Sequence, residues 1–160
     1  MAYKVFIDGQ EGTTGLRIVE RLKNRSDIEL ITIDEELRKD TAERKRLINE
    51  SDYTFLCLPD AAAVESAELC DNPHTKILDA STAHRIAPGW DYGLPELSAE
   101  HRAKIAASKR VAVPGCYASG FNALCYPMVK NGFIAPYHTV TCHAVSGYSG
   151  AGKKAIAVYE

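Results

Sequence analysis

Short β-branched runs alternate with longer stretches of helically spaced apolar residues along most of the chain. The apolar runs predict buried strands over residues 3–8, 28–33, 53–58, 76–80 and 110–113. Helical spacing predicts helices over residues 16–24, 41–49, 61–70, 98–108 and 118–129, with Asp60 and Ser98 as caps of the third and fourth. Because strands that alternate with helices form a parallel sheet with helices on both faces, the pattern predicts a doubly wound, mostly parallel α/β fold.

The pattern changes after residue 113. Residues 137–145 alternate as a strand of a new sheet would, and a glycine-rich loop is predicted over residues 146–153. We therefore expect one domain over residues 1–114 and the start of a second, α+β domain over residues 115–160. The chain ends at Glu160 inside a predicted helix that begins near Gly152, which suggests an N-terminal fragment.

The turn between the first strand and the first helix has the spacing GxxGxxG. Glycines at such a turn let the backbone approach a dinucleotide pyrophosphate, and the helix N-terminus supplies free N–H groups. The spacing departs from GxGxxG, so an ordinary strand-to-helix turn is the alternative. The residues predicted to bind the cofactor here are Gly9, Gly12, Thr13, Thr14 and Gly15.

The end of the second strand carries both signals that distinguish the two nicotinamide cofactors. An acid such as Asp34 would bind a ribose 2′-hydroxyl and favour NAD, whereas Arg38 would bind a 2′-phosphate and favour NADP. The residues alone leave that choice open, and Arg38-Lys39 could also be a solvated loop. Cys57 and Pro59, at the end of the third strand, are predicted to line the cofactor pocket, with core packing as the alternative for Cys57.

Cys116 stands where the fifth strand ends, Pro114-Gly115 turns the chain and the next helix begins. Ligands of doubly wound folds bind outside the carboxyl ends of the strands. A helix N-terminus lowers the pKa of a thiol and makes the thiolate available as a nucleophile. Cys116 is therefore the candidate catalytic residue, against the alternative of a buried packing cysteine.

Composition and charge exclude several other classes of protein. The chain has 160 residues, a net charge of −2 and no basic stripe, so neither a nucleic-acid partner nor a membrane partner is expected. The N-terminus shows no signal-peptide pattern. Five widely spaced cysteines without a CxxC motif indicate neither a disulfide framework nor a metal site, so we expect a cytoplasmic protein.

Taken together, the motifs resemble those of a known family, the shorter form of N-acetyl-gamma-glutamyl-phosphate reductase, an enzyme of arginine biosynthesis. The resemblance runs across the whole chain, and several motifs in the right order are more specific than any one of them. The motifs are Gly9-Gln10-Glu11-Gly12-Thr13-Thr14-Gly15, Leu78-Asp79-Ala80-Ser81-Thr82-Ala83-His84-Arg85, Tyr92-Gly93-Leu94-Pro95-Glu96, Pro114-Gly115-Cys116-Tyr117 and Val145-Ser146-Gly147-Tyr148-Ser149-Gly150-Ala151-Gly152-Lys153.

The resemblance implies a specific reaction. Cys116 would attack the acyl phosphate of N-acetyl-gamma-glutamyl phosphate and expel phosphate, and NADPH would reduce the resulting thioester to the semialdehyde. NADP(H) is the family's cofactor, which favours the 2′-phosphate role for Arg38 and leaves Asp34 unexplained. The candidate substrate-binding residues are Ser81, Arg85, Ser119, Ser146, Gly147 and Lys153.

Simpler roles remain open for two of these cations. Arg85 could form a structural ion pair with Glu96, and Lys153 could be a surface lysine at a helix start. In the family the catalytic histidine comes later in a chain roughly twice as long, and none of the five histidines here matches its motif. We therefore expect a homo-oligomer at full length, and little or no activity from these 160 residues by themselves.

Three other functions fit part of the sequence. Another acyl-phosphate reductase, such as aspartate-semialdehyde dehydrogenase, would share the architecture, although the Tyr92–Glu96 segment argues against it. A nucleotide-binding module without chemistry would leave Cys116 inert. A cysteine hydrolase that uses Cys116 and His143 would leave the glycine turn without a purpose.

Overall fold

The computed structural model describes residues 2–145, 147–151, 156–158 and 160. Its centre is a six-stranded sheet in the order β2-β1-β3-β4-β6-β5, and every pair of neighbours is parallel. The doubly wound α/β prediction is therefore confirmed. The strands are β1 (Tyr3–Asp8), β2 (Ile28–Ile31), β3 (Tyr53–Leu56), β4 (Lys76–Asp79), β5 (Asp91–Tyr92) and β6 (Arg110–Ala112).

Four α-helices connect these strands, and a fifth follows the last strand. They are α1 (Thr13–Leu22), α2 (Thr41–Glu50), α3 (Asp60–Glu68), α4 (Ala99–Ala107) and α5 (Cys116–Lys130). Three short 3₁₀ helices cover Glu35–Leu37, Pro95–Leu97 and Tyr148–Ala151. No helix among the described residues is long and apolar enough to cross a membrane.

The two predicted helix caps have different outcomes. Ser98 caps α4, because its hydroxyl accepts a hydrogen bond from the His101 N–H at 3.2 Å. The prediction for Asp60 is wrong: Pro59 is the N-cap of α3 and Asp60 is already helical. The Asp60 carboxylate instead accepts from the N–H of Thr82 at 2.9 Å, so a tertiary contact takes the place of the local cap.

The two hydrophobic clusters lie between one face of the sheet and helices α2 and α3. The register pairs Phe6 with Thr54 and Leu56 with Asp79, which puts the even-numbered residues of β1 and β3 on the same face. Two buried clusters occupy that face: Phe6, Ile33, Leu47 and Ile48 under α2, and Leu56, Ala63, Ala67 and Ile77 under α3. On the opposite face, Phe55 and Leu78 are only half-buried.

A buried ion pair joins this core to the end of β1. The Nε and Nη2 atoms of Arg44, on α2, donate to Asp8 Oδ2 at 3.2 and 3.1 Å. The hydroxyl of Ser66, on α3, donates to the same oxygen at 2.7 Å. The shared acceptor fixes both helices to the residue that precedes Gly9.

The strand predicted over residues 137–145 is not observed. This segment forms no regular secondary structure. A strand needs a neighbour that completes its hydrogen bonds, and the described part of the chain pairs none with it. Alternation of side chains was therefore insufficient by itself to predict a sheet strand.

Candidate active site

The carboxyl ends of four neighbouring strands meet in one row. The register pairs Asp8 of β1 with Leu56 of β3, Leu56 with Asp79 of β4, and Asp79 with Ala112 of β6. The hydrogen-bond ladder continues one residue further, because the N–H groups of Cys57 and Val113 donate to the Asp8 and Asp79 carbonyls at 2.8 and 2.7 Å. The glycine turn, Cys57 and the turn before Cys116 therefore follow the same edge of the sheet, where ligands of this fold class bind.

The glycine turn is held in a shape that larger residues cannot adopt. Gly9 has φ of +88°, and a Cβ added to it would lie 2.4 Å from the carbonyl oxygen of Cys57. A Cβ on Gly15 would lie 2.4 Å from the carbonyl oxygen of Gly9, so the first turn of α1 packs directly on the loop. Gly12, in an extended conformation, precedes α1 and offers no side chain to cap its first N–H groups. This cradle fits a dinucleotide pyrophosphate.

The next two predicted cofactor residues, Thr13 and Thr14, begin α1. Both line a cleft of about 740 Å³ that also borders Arg17 and Gly150. Gly150 belongs to the glycine-rich segment near the end of the chain. The fold therefore brings that segment beside the start of α1.

A second cleft, of about 210 Å³, connects the glycine turn with the end of β2. Its lining includes Gly9, Glu35, Arg38 and Lys39. Arg38 is half-exposed and lies 3.6 Å from the Glu35 carboxylate. Asp34, the residue that would favour NAD, is exposed and is not part of the lining. The cleft thus brings Arg38 and Lys39 near the glycine turn together with the acid Glu35, while Asp34 stays outside it.

Cys57 and Pro59 follow β3 at the same edge of the sheet, and Leu58 between them lines the second cleft, whose lining does not include Cys57 or Pro59. Burial, with the nearby Asp79 and Asp8 carboxylates, raises the pKa of the Cys57 thiol to about 12. The thiol is protonated at neutral pH and is not a nucleophile there. Pro59 ends the strand segment and, as the N-cap of α3, starts the next helix.

Cys116 is exposed and is the first residue of α5, which confirms the predicted helix start. Gly115 precedes it in an extended conformation and has no side chain to accept from the first N–H groups of the helix. Those groups remain available to an anion or an oxyanion. A cleft of about 540 Å³ opens beside Cys116 and is also lined by Phe121, Cys142 and His143.

Arg85 lies against the turn that carries Cys116. A Cβ added to Gly115 would be 2.8 Å from Arg85 Nη1 and 3.3 Å from its Cζ, so glycine makes room for the guanidinium. Arg85 Nε donates to the Val113 carbonyl at 3.2 Å, not to Glu96, the ion-pair partner that the sequence left open. Sequence reasoning offered Arg85 as one cation among several, and the fold singles it out by its position.

Asp79, at the end of β4, organises the loop next to the candidate site, and sequence reasoning missed it. It is fully buried (0% exposed) and accepts three hydrogen bonds, from the Ser81 N–H at 2.9 Å, the Ser81 hydroxyl at 2.7 Å and His84 Nδ1 at 2.6 Å. An acid that directly follows an apolar strand and precedes Ser, Thr and His was the available signal. Ser81 thereby holds the loop, and its contact with substrate stays a prediction.

The structure gives less support to the remaining predicted substrate-binding residues. The hydroxyl of Ser119 donates to the Gly115 carbonyl at 2.9 Å, so it stabilises the first turn of α5. Gly147 is exposed, and Ser146 and Lys153 lie outside the described residues. His143 shares the cleft with Cys116, yet within the described chain no hydrogen bond joins the two side chains.

Comparisons with known proteins agree with this geometry. Residues 32–105 match the family model of the semialdehyde dehydrogenase NAD binding domain, and residues 116–160 match that of the semialdehyde dehydrogenase dimerisation domain. Among solved structures, aspartate semialdehyde dehydrogenase II from Vibrio cholerae superposes with a TM-score of 0.66 at 14% identity, covering 98% of this chain and 50% of that one. The fold and the two matches define a protein of the semialdehyde dehydrogenase class.

Curated relatives narrow the class. The chain is 50% identical over 156 residues to N-acetyl-gamma-glutamyl-phosphate reductase 2 of Pseudomonas putida, which covers 98% of this chain and 50% of the relative. It is 50% identical over 157 residues to the enzyme of the same name from Nostoc sp., covering 98% and 49%. The chain belongs to the N-acetyl-gamma-glutamyl-phosphate reductase family, and it spans about half the length of the curated relatives it matches.

Proposed function

We propose that the whole protein reduces N-acetyl-gamma-glutamyl phosphate to N-acetylglutamate 5-semialdehyde and phosphate with NADPH, in arginine biosynthesis. The observation that carries the proposal is the Cys116 turn, where an exposed thiol stands at an uncapped helix start and the Arg85 guanidinium lies against Gly115, the residue before it. The same sheet edge carries a glycine turn that fits a dinucleotide. The family relation adds the substrate, because the curated relatives at 50% identity bear that name.

The first step is acyl transfer to sulfur. Cys116 Sγ attacks the acyl carbon, a C–S bond forms, the bond from that carbon to the phosphate oxygen breaks, and phosphate leaves with the bonding electrons. Arg85 is the cation in place to bind the phosphate group. The first N–H groups of α5 stabilise the oxyanion of the tetrahedral intermediate.

The second step releases the product from sulfur. NADPH, when bound, supplies the hydride that reduces the thioester carbonyl. The helix N-terminus again stabilises the oxyanion, which collapses to the aldehyde and returns the Cys116 thiolate. Gly9, Gly12, Thr13, Thr14 and Gly15 would hold the pyrophosphate, and Arg38 with Lys39 would hold the ribose 2′-phosphate.

We propose that residues 1–114 form a dinucleotide-binding domain and that a substrate and dimerisation domain begins at residue 115. The two family matches, which fall on either side of that position, support the division. They also support a homo-oligomer as the working form. A reducing cytoplasm fits the cysteines, since all five are unpaired.

Initial rates of the whole protein test this proposal. We expect NADPH oxidation with N-acetyl-gamma-glutamyl phosphate, and a kcat/KM at least about a hundredfold lower with aspartyl phosphate, because a site that pairs the acetamido group leaves its partners unsatisfied with the other substrate. These 160 residues by themselves should show little turnover. Preference for aspartyl phosphate would transfer the protein to the aspartate-semialdehyde dehydrogenases.

A variant of Arg38 tests the assignment of NADP(H) as the cofactor. Arg38→Gln in the whole protein should lower kcat/KM for NADPH about tenfold and leave NADH unchanged, because a charge-assisted bond to phosphate is lost. Arg25→Gln is the matched control, since Arg25 pairs with Asp27 before β2 at the opposite edge of the sheet. An equal loss with both cofactors would refute the 2′-phosphate role.

A further inference from the structure

The segment from Ala80 to Arg85 is fixed at almost every residue. Ser81 bonds to Asp79, and Thr82 bonds to Asp60 through both its N–H and its hydroxyl. His84 also bonds to Asp79, while Arg85 reaches the Val113 carbonyl. The next side chain, Ile86, is 98% exposed and does not pack against the sheet. The contacts therefore serve the placement of the residues up to Arg85.

His84 is held in two independent ways. Its Nδ1 lies 2.6 Å from Asp79 Oδ2, which sets the rotation of the ring. Its face stacks on Trp90, with ring centroids 3.9 Å apart and planes at 15°, which sets the tilt. Trp90 is held in turn by the Arg110 guanidinium, 5.6 Å from its centroid. Because the His84 ring is fixed in both rotation and tilt, it restrains the position of the next residue, Arg85.

Asp79 also connects this segment to the catalytic turn. Its carbonyl accepts from the Val113 N–H at 2.7 Å, and the Val113 carbonyl accepts from Arg85 Nε at 3.2 Å. Asp79, Val113 and Arg85 thus close a ring of contacts immediately before Gly115 and Cys116. Neither Asp79 nor His84 is needed as a reacting group in the proposed chemistry.

We propose that His84 and Asp79 form a positioning pair that holds the Arg85 guanidinium over Gly115, so that it faces the anionic group of the substrate at Cys116. The inference rests on the proposed function and assigns it two further residues. Without the hydrogen bond between His84 and Asp79, we expect the backbone of residues 80–85 to keep its path while the Arg85 guanidinium loses its fixed position against Gly115. The thiol would then meet an anionic reagent without a neighbouring cation.

Two alkylating reagents that differ in charge measure the effect of Arg85 on Cys116 directly in the whole protein. Iodoacetate and iodoacetamide react by the same displacement, and mass spectrometry of the Cys116 peptide gives each rate. The ratio of the iodoacetate rate to the iodoacetamide rate reports positive charge at the thiol. A change in the exposure of the thiol alone would alter both rates together and leave the ratio unchanged.

In the wild type we expect a ratio about threefold or more above that of N-acetylcysteine, because a nearby cation concentrates the anion. Arg85→Gln should return it to the free-thiol value. His84→Phe keeps a ring on Trp90 and loses the donor to Asp79, so its ratio should fall close to that of Arg85→Gln. His84→Asn restores a donor near the Nδ1 position and should recover at least about half of the effect.

His101→Phe is the matched control. His101 has the same kinds of contact, a 2.9 Å bond from Nδ1 to Ser98 and an edge contact with Tyr126, yet lies on α4. Its ratio should equal the wild-type value. If His84→Phe loses its cooperative thermal transition, His84→Gln takes its place, because its longer amide cannot occupy the Nδ1 position.

The positioning role of His84 and Asp79 is refuted if Arg85→Gln lowers the ratio while the folded His84 variants keep the wild-type ratio. It is refuted equally if Arg85→Gln leaves the ratio unchanged, because then no cation faces the thiol. Failure of the proposed function is a separate result, seen as turnover of the whole protein that does not need Cys116. The two failures can therefore be told apart.

Discussion

Cys57 and Cys116 lie at the same edge of the sheet under opposite conditions. Cys57 is half-buried near two carboxylates, which raises its pKa to about 12, whereas Cys116 is exposed at a helix N-terminus, with Arg85 packed against the preceding Gly115. Burial and negative charge oppose a thiolate at Cys57. The surroundings of each sulfur, rather than its residue type, decide which of them is fit to be a nucleophile.

Gly9 is the residue where the cofactor turn depends most on a missing side chain. Gly9→Ala should destabilise the chain by roughly 1–3 kcal/mol, because alanine is strained at φ of +88° and its Cβ would lie 2.4 Å from the Cys57 carbonyl oxygen. Urea unfolding monitored by circular dichroism measures the change.

Gly120→Ala is the control for the glycine turn. Gly120 lies inside α5, and a Cβ there would meet nothing within 4 Å. Alanine should therefore stabilise the chain by about 0.5–1 kcal/mol through its helix propensity. An unfolding midpoint of Gly9→Ala equal to or above the wild type would contradict the strained-turn account.

At the scale of secondary-structure elements, the contact of β1 with α2 and α3 through Asp8 fixes the base of the glycine turn. Arg44 is 7% exposed and Asp8 is 3% exposed, so both charges of this pair are removed from water. Such a pair is a weak source of net stability, but removing one partner leaves a buried charge uncompensated. The pair therefore matters more for where the helices sit than for the total free energy of folding.

Arg44→Ala should lower the free energy of unfolding by about 3–5 kcal/mol, because the Asp8 carboxylate would remain buried without its cation. The next residue gives the control: Lys45 pairs with Asp71 on the surface, and Lys45→Ala should change stability by less than about 1 kcal/mol. Denaturant unfolding of both variants makes the comparison. Similar losses in the two would show that the buried pair has no special role.

The elements that the sequence predicted best are those whose pattern is local. The five strands and five helices predicted before residue 130 all occur, with ends shifted by up to three residues, whereas the strand predicted over residues 137–145 does not. The two-residue strand β5 has no pattern of its own and exists only through its pairing with β6. Asp60 failed as a cap because Thr82, twenty-two residues away, takes its carboxylate.

In the candidate site, too, the sequence predicted only the features that depend on neighbouring residues. Gly9 and Cys116 could be recognised from their places between a strand and a helix, because the consequence of that position is local. The contact of Arg85 with Gly115 joins residues thirty positions apart and depends on the order of β4 and β6 in the sheet. The role of Asp79 likewise appears only once Ser81, His84 and Val113 are placed around it.

At the scale of the whole molecule, the two faces of the sheet differ. Helices α2 and α3 cover the even face of β1 and β3, whereas Phe55 and Leu78 remain half-buried on the other. The part of the chain that matches a dimerisation domain also exposes large apolar side chains: Tyr117, Leu124, Met128, Phe133, Tyr137, Val140 and Val145. Such surface in a chain half the length of its relatives agrees with the proposal that activity belongs to the whole, oligomeric protein.

Acyl transfer to sulfur is the central claim, and trapping it is the most direct test. The whole protein, mixed with N-acetyl-gamma-glutamyl phosphate in the absence of NADPH and quenched in acid, should gain the mass of one N-acetylglutamyl group per site on the Cys116 peptide. Cys116→Ser should show no thioester and should lose turnover by at least about a thousandfold. Aldehyde formation by Cys116→Ser at the wild-type rate, or an adduct on a different residue, would contradict the account.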